Sequence, residues 1–244
     1  MRILVVGATS AIAEAASRLW AARGASFYLA ARRESLLASG AEDLRVRGAK
    51  QVATERFDMM DAASREGLVD RAEAALGGLD CVLVAHGTLP DQAACLADPG
   101  LAAREIELNA VATAELVLRA AARMEARGAG TIAVITSVAG VRGRASNFVY
   151  GSAKAMVSTL LEGLRHRMHG RGVAVIDIRP GFVDTPMTEG FPKGALWASP
   201  AKVAADIVAA VDRGASVVYT PWFWRWIMLL IRHIPEFLFV RTKL

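Results

Sequence analysis

Short runs rich in valine, isoleucine and leucine alternate along the chain with longer stretches rich in alanine and leucine, and this alternation limits the fold more than any other feature. The short runs cover residues 3–6, 27–30, 51–57, 81–85, 131–136, 173–178 and 216–219. Each has strand length, and most are apolar at successive positions, the pattern of strands covered by helices on both faces. The intervening stretches, 12–23, 35–47, 62–76, 103–127, 147–169 and 201–213, read as helices. Gly24, Gly48 and Gly170 stand where helix ends belong. Repeated strand–helix–strand units imply parallel pairing. The expected fold is therefore α/β, a single domain over residues 1–220 with a doubly wound parallel sheet of about seven strands and helices on both faces.

Composition narrows the class further. The 244 residues are 54% hydrophobic, enough for a large core and too much for a chain that stays disordered. Two cysteines, Cys81 in an apolar run and Cys95 in an expected loop, give no disulfide framework and point to a reducing cytoplasm. The first apolar run is too short for a signal peptide or a membrane span, so the chain is not expected to be exported. The net charge of +5 is dispersed, not gathered with stacking aromatics on one element, which argues against a nucleic-acid partner.

After the first strand, Gly7-Ala8-Thr9-Ser10-Ala11-Ile12-Ala13 leads into a helix, so backbone N–H groups and a helix N-terminus can face a pyrophosphate. Only Gly7 of the glycine pattern is present. Ala11 and Ala13 hold the other positions, and an ordinary strand-to-helix turn reads the same way. The second strand ends Ala30-Ala31-Arg32-Arg33, with no acid before Glu34 to take a ribose hydroxyl. Two arginines at a helix start oppose its dipole unless an anion answers them, which favours the 2′-phosphate of NADP(H) over NAD(H); a solvated basic pair is the alternative. Asp58 and Met59 follow the third strand, where Asp58 suits an adenine amino group or a turn equally well. Ala85, His86 and Gly87 end the fourth strand and allow a cofactor to approach closely, with His86 read as a packing or hydrogen-bonded residue.

Ser137 follows the fifth strand, Tyr150 comes thirteen residues later and Lys154 four after that, so Tyr150 and Lys154 share one helical face. Hydride reduction of a carbonyl needs a proton donor at the developing alkoxide, and an ordinary tyrosine is a weak acid for that task. Lys154 is expected to favour the phenolate and lower the pKa of Tyr150, while the Ser137 hydroxyl positions the substrate oxygen. Asn109, inside a long helix, can interrupt local helical bonding and hold a water connected to Lys154. Taken singly, each has a bland role as a half-buried aromatic, a solvated lysine, a cap or a polar helix residue.

Four segments occur in a distinctive order and spacing: Leu108-Asn109-Ala110, Ile135-Thr136-Ser137-Val138-Ala139-Gly140, Tyr150-Gly151-Ser152-Ala153-Lys154-Ala155 and Arg179-Pro180-Gly181-Phe182-Val183-Asp184-Thr185-Pro186. Through them the sequence resembles the short-chain dehydrogenase/reductase (SDR) family over residues 1–220. The resemblance implies a Rossmann fold and an NAD(P)-dependent enzyme that interconverts a ketone and a secondary alcohol. It implies a catalytic set of Asn109, Ser137, Tyr150 and Lys154, and no metal. The cofactor would be held by Gly7, Thr9, Ser10, Ala11, Ile12, Arg32, Arg33, Asp58, Met59, Ala85, His86, Gly87, Tyr150, Lys154, Pro180, Gly181, Val183 and Thr185. Lys154 would bind the nicotinamide ribose, and Val183 with Thr185 the carboxamide. A homodimer or homotetramer paired through the long helices is implied as well. Two departures stand out: alanines at 11 and 13, and Val84-Ala85-His86-Gly87 in place of the usual Asn-Asn-Ala-Gly. With the tail described next, they resemble a subfamily that includes decaprenylphosphoryl keto-sugar reductases.

Residues 221–244 differ in composition. Pro221-Trp222-Phe223-Trp224-Arg225-Trp226 and the apolar residues 227–231 are interrupted by Arg225, Arg232, His233, Pro235 and Glu236, so no charge-free run is long enough to cross a bilayer. Tryptophans suit the headgroup level, and Arg225, Arg232, Arg241 and Lys243 suit anionic lipid. The segment is expected to be an interfacial helix, or a helix pair broken at Pro235, peripheral on the inner face of the membrane. The alternative is packing on its own domain or a partner subunit. The expected activity is NADPH-dependent conversion between ketone and alcohol on a lipid-linked or amphiphilic carbonyl substrate such as a polyprenyl-phosphate keto-sugar. A soluble ketoacyl- or alcohol-type reductase with the tail in oligomer contacts is one alternative. A non-catalytic NADP-binding sensor or scaffold is another, against which the pair Tyr150 and Lys154 argues.

Overall fold

The computed structural model describes residues 1–242. Seven parallel strands, β1 (Arg2–Val6), β2 (Ser26–Ala31), β3 (Gln51–Arg56), β4 (Cys81–Val84), β5 (Gly130–Ile135), β6 (Val173–Pro180) and β7 (Val217–Thr220), lie in the order β3-β2-β1-β4-β5-β6-β7. The chain winds from β1 to one edge, returns to β4 beside β1, and winds to the other edge. This reversal opens a crevice at the carboxyl ends of β1 and β4, where sheets of this kind bind ligands. Val6 is in register with both Ala30 and Val84, so the ends of β1, β2 and β4 meet at one level.

Strand residues point alternately to two helical layers. Ile3 and Val5 of β1 face α1 (Ala11–Ala21), α2 (Glu34–Val46) and α8 (Pro200–Asp212), packing in one core with Trp20, Leu37 and Ile207. Leu4 and Val6 face α3 (Ala62–Leu76), α6 (Ala112–Arg127) and α7 (Phe148–Met168), with Leu68, Leu116 and Leu161. Each of these fully buried aliphatic chains stabilises the fold by roughly 1.5–3 kcal/mol. Apolar residues on both faces of every central strand are thus required by the two layers.

The helix expected over 103–127 is corrected. It is two helices, α5 (Pro99–Ile106) and α6, joined by one wider π turn over Glu107–Val111 that contains Asn109. An additional short helix, α4 (Gln92–Ala97), precedes them, capped by the Asp91 carboxylate on the Ala94 N–H at 2.7 Å. Asp98 and Pro99 then start α5, an N-cap and a first-position proline. The tail folds as α9 (Trp224–His233) and α10 (Glu236–Phe239), broken at Pro235 as expected. Trp224, Met228, Ile231 and Phe239 pack with Val138 in a third, smaller core. Among the described residues no helix is long and apolar enough to cross a membrane. Lys243, assigned above to the membrane-facing set, lies outside the described residues. Cys81 and Cys95 are both buried and unpaired.

Candidate active site

The turn from β1 into α1 is closed by a bond from the Ser10 N–H to the Gly7 carbonyl at 2.9 Å, while the Gly7 and Ala8 N–H groups both reach the Ala30 carbonyl. Gly7 has φ +78°, and a Cβ there would lie 2.5 Å from the His86 nitrogen, so only glycine lets the ends of β1 and β4 approach this closely. Ser10, the N-cap of α1, makes no side-chain cap bond. The first-turn N–H groups of α1 therefore face the crevice without a side-chain partner, a cradle that fits a pyrophosphate. Ala11 adopts an ordinary helical conformation and Ala13 is wholly buried in the core beneath α1. Neither alanine obstructs the turn. Ile12 also turns into that core, whereas Thr9 stays on the turn itself.

Arg32 and Arg33 are exposed at the end of β2. Arg33 is the N-cap of α2 and makes no cap bond, and the charge of Arg32 reaches His86. Asp58 acts as a turn residue, with Oδ1 accepting the Met60 N–H at 2.9 Å. Met59 is buried, its carbonyl held by the Arg65 guanidinium. Ala85 extends β4 through a bond to the Val6 carbonyl. At the end of β6, Pro180 is followed by Gly181, where a Cβ would lie 1.9 Å from Nε1 of Trp224. Val183 pairs with Ala198, and the Thr185 N–H is taken by the Thr188 hydroxyl at 3.2 Å.

Two of the expected catalytic side chains, Asn109 and Lys154, meet at Gly87. With φ +154°, Gly87 leaves room that a Cβ would fill 2.9 Å from Asn109 Oδ1 and 3.3 Å from Lys154 Nζ. Asn109, 1% exposed, has its side chain fully engaged: Nδ2 donates to the Thr88 hydroxyl (3.0 Å) and the Glu105 carbonyl (3.1 Å), and Oδ1 accepts the Thr88 N–H (3.1 Å). Lys154 Nζ donates to the Ile135 carbonyl at 3.3 Å and lies 5.6 Å from the centre of the Tyr150 ring. Ser137 Oγ accepts the Ala139 N–H at 3.0 Å, which leaves its own proton free to donate. His86 completes the wall. Its Nε2 lies 3.0 Å from the Thr113 hydroxyl and 3.3 Å from the Leu108 carbonyl, and its Nδ1 is buried with no partner.

Burial dominates the electrostatics. It pushes the Tyr150 phenol up to about 12, against a smaller lowering by the Ser137 hydroxyl. It pulls the Lys154 ammonium down to about 8, against the opposing charge of Asp177. Burial, then the Lys154 charge, brings His86 down to about 3 and keeps it neutral. The expectation that Lys154 lowers the Tyr150 pKa is thus corrected: desolvation of the phenolate outweighs the favourable bonds. At neutral pH Tyr150 is a phenol, the form that can give a proton to a carbonyl oxygen.

Several residues with roles here escaped the sequence reading. Thr88 and Glu105 hold Asn109. Asp177, fully buried, accepts from the Thr136 hydroxyl and from Arg179 at 2.7 Å and sets a negative charge beneath Lys154. An acid inside the apolar run 173–178 was the visible sign of it. Arg142, in the loop between Ser137 and Tyr150, donates to the Ile231 carbonyl (2.7 Å) and to Glu236 (2.8 Å) and stacks 3.7 Å above the Phe239 ring, so it caps α9. Trp224 is corrected from a membrane-facing residue to a buried one: 3% exposed, it packs edge-on to Phe182, which stacks on Trp197. The inner face of the tail therefore packs beside the end of β6 and on the loop after Ser137. Its outer face exposes Trp226, Leu229, Leu230 and Phe237 beside Arg225 and Arg232.

Residues 1–195 match the family model described as short chain dehydrogenase. An uncharacterized oxidoreductase of Mycobacterium tuberculosis is 39% identical over 240 residues, 98% of this chain and 96% of its own. A cis-4-hydroxycyclohexanecarboxylate dehydrogenase of Sinomonas cyclohexanicum is 35% identical over 195 residues, 78% of this chain and 76% of its own. Among solved structures, levodione reductase shares the fold with a TM-score of 0.82 at 22% identity, over 91% of this chain and 96% of that one.

Proposed function

The chain belongs to the short-chain dehydrogenase family, an NAD(P)-dependent group of oxidoreductases, and from that premise we propose that it interconverts a ketone and a secondary alcohol on an amphiphilic or lipid-linked substrate, with NADP(H) preferred. One observation carries the reading: the Lys154 ammonium lies 5.6 Å from the centre of the Tyr150 ring, with the Ser137 hydroxyl acting on the same phenol, at the carboxyl ends of the sheet where the N-terminus of α1 is open. The nicotinamide, when bound, supplies or accepts the hydride. The side chains do the remainder. Tyr150 gives its proton to the carbonyl oxygen, the Ser137 hydroxyl positions that oxygen, and the Lys154 ammonium stabilises the phenolate left behind. Asn109 holds the π turn, and its carbonyl, already accepting from the Thr113 hydroxyl at 3.2 Å, has a second lone pair for a water on the proton path. The cyclohexanecarboxylate dehydrogenase among the relatives takes a ring-borne alcohol by its name, which supports the alcohol–ketone pair.

Arg32 and Arg33 carry the NADP(H) preference, since no acid precedes them at the end of β2 to take a ribose 2′-hydroxyl. The outer face of α9 and α10 supports the amphiphilic substrate: apolar and basic side chains there would seat on an anionic bilayer with the cleft alongside. Exposed Val111, Leu118 and Met156 on the π turn, α6 and α7 support pairing of two copies through those helices. The test is NADPH oxidation against ketones that include polyprenyl-linked keto-sugars, with co-sedimentation on anionic liposomes. Turnover with liposome binding that is lost on replacing Trp226 and Leu230 by serine supports the reading. Turnover without liposome binding returns the tail's outer face to contacts between subunits, and no turnover on any ketone or alcohol removes the enzyme reading.

A further inference from the structure

Among the described residues, Arg144 is the one arginine that is partly buried yet makes no ion pair and no side-chain hydrogen bond; its Nε is closed to solvent with no partner. Burial draws its pKa down, with no carboxylate to oppose the shift. The guanidinium is partly desolvated at Nε without a counter-charge, an unfavourable state that an anion would relieve. Two neighbours share the condition. Asn147 lies across one turn, its N–H on the Arg144 carbonyl at 3.2 Å; its Oδ1 is buried without a partner, and it does not cap α7. Gln92 of α4 spends Oε1 on the Val149 N–H at 3.1 Å, at the same start of α7, and its Nε2 is buried without a partner. Arg144 and Asn147 lie in the loop that begins at Ser137, and Gln92 meets the first turn of α7, which carries Tyr150, from α4.

Resting on the reading of Tyr150 and Ser137 as the reacting groups, we infer that Arg144, Gln92 and Asn147 form a subsite for an anionic group on the substrate, a carboxylate or phosphate a few bonds from the reacting carbonyl. An oxyanion answers the guanidinium with charge-assisted bonds and takes the Gln92 amide hydrogen, and a half-turn of the Asn147 amide presents its NH₂ to the same group. The N-terminal end of the α7 dipole adds a favourable field. Each bond gives a partner to a buried group that is otherwise unpaired.

The experiment compares kcat/KM with NADPH for two matched pairs, 4-oxocyclohexanecarboxylate against its methyl ester and dihydroxyacetone phosphate against dihydroxyacetone, in wild type, Arg144→Gln and Arg144→Lys. The expected result is a preference of about ten-fold or more for the charged member of one pair, expressed in KM. The pair that shows it separates carboxylate from phosphate. Arg144→Gln should abolish the preference and Arg144→Lys should keep part of it. No preference in wild type, or the same preference in Arg144→Gln, overturns the inference while leaving the oxidoreductase reading intact. If no compound is turned over, that reading fails separately. Calorimetric titration of the NADP⁺-bound protein with 4-oxocyclohexanecarboxylate and with dihydroxyacetone phosphate then decides the subsite. Binding of either that weakens at least about ten-fold in Arg144→Gln, with Arg144→Lys intermediate, supports it, and undiminished or absent binding overturns it.

Discussion

Lys154 lies one helical turn beyond Tyr150 on α7, its ammonium 5.6 Å from the centre of the Tyr150 ring and bonded to the Ile135 carbonyl. Burial leaves the two groups with opposite shifts, Tyr150 up to about 12 and Lys154 down to about 8. Reduction needs the phenol protonated and the ammonium charged. The kcat/KM for ketone reduction should therefore be flat through neutral pH and fall as pH rises through about 8, the point at which Lys154 loses its charge. Lys154→Met should remove most activity and this limb together. A rate that climbs through that range would contradict the assignment.

Gly7 cannot accept a side chain. Its φ of +78° is unfavourable for any L-residue by roughly 1–2 kcal/mol, and a Cβ would meet the His86 and Ala85 backbone below 3 Å. Gly7→Ala should destabilise the protein by at least about 2 kcal/mol in denaturant titration and weaken NADPH binding. A variant of unchanged stability would show that the β1 and β4 ends do not meet as described.

Arg142 joins the loop after Ser137 to the end of α9 through three backbone carbonyls and Glu236. Arg142→Ala should leave the proton-transfer groups in place but loosen the cleft wall, raising KM several-fold with kcat changed less, and lowering Tm. The reverse split, kcat falling with KM constant, would place Arg142 in the chemistry.

Arg32 and Arg33 should give NADPH tighter binding than NADH through charge-assisted bonds of roughly 1.5–3 kcal/mol. Replacing both by alanine should erase the difference in fluorescence titrations. Equal affinities in wild type would refute the role given to them.

Much of this was legible in the primary structure, for identifiable reasons. Val5 and Leu4 face different helical layers, so β1 had to be apolar at successive positions and was recognisable as an interior parallel strand. The spacing of Ser137, Tyr150 and Lys154 carries the site because α7 converts four residues into one face. The π turn at Asn109 was not legible: its residues suit an α-helix, and the wider turn follows from Thr88 and Glu105 gripping the Asn109 amide. Nor could spacing reveal Arg142, whose partners lie 89 to 94 residues away and are mostly backbone carbonyls. The burial of Trp224 was within reach, since Trp224, Met228 and Ile231 recur at helical spacing while Trp226 and Leu230 fall opposite. The direction of the Tyr150 shift was beyond it, because it depends on depth in the cleft.

The central claim is that Tyr150 is the proton donor, and Tyr150→Phe tests it most directly because it removes one oxygen and little volume. With Tm and NADPH affinity measured alongside and expected to match wild type, ketone reduction should fall by roughly 10²–10⁴-fold. A Phe variant that reduces the same ketone within a few-fold of wild type would contradict the account.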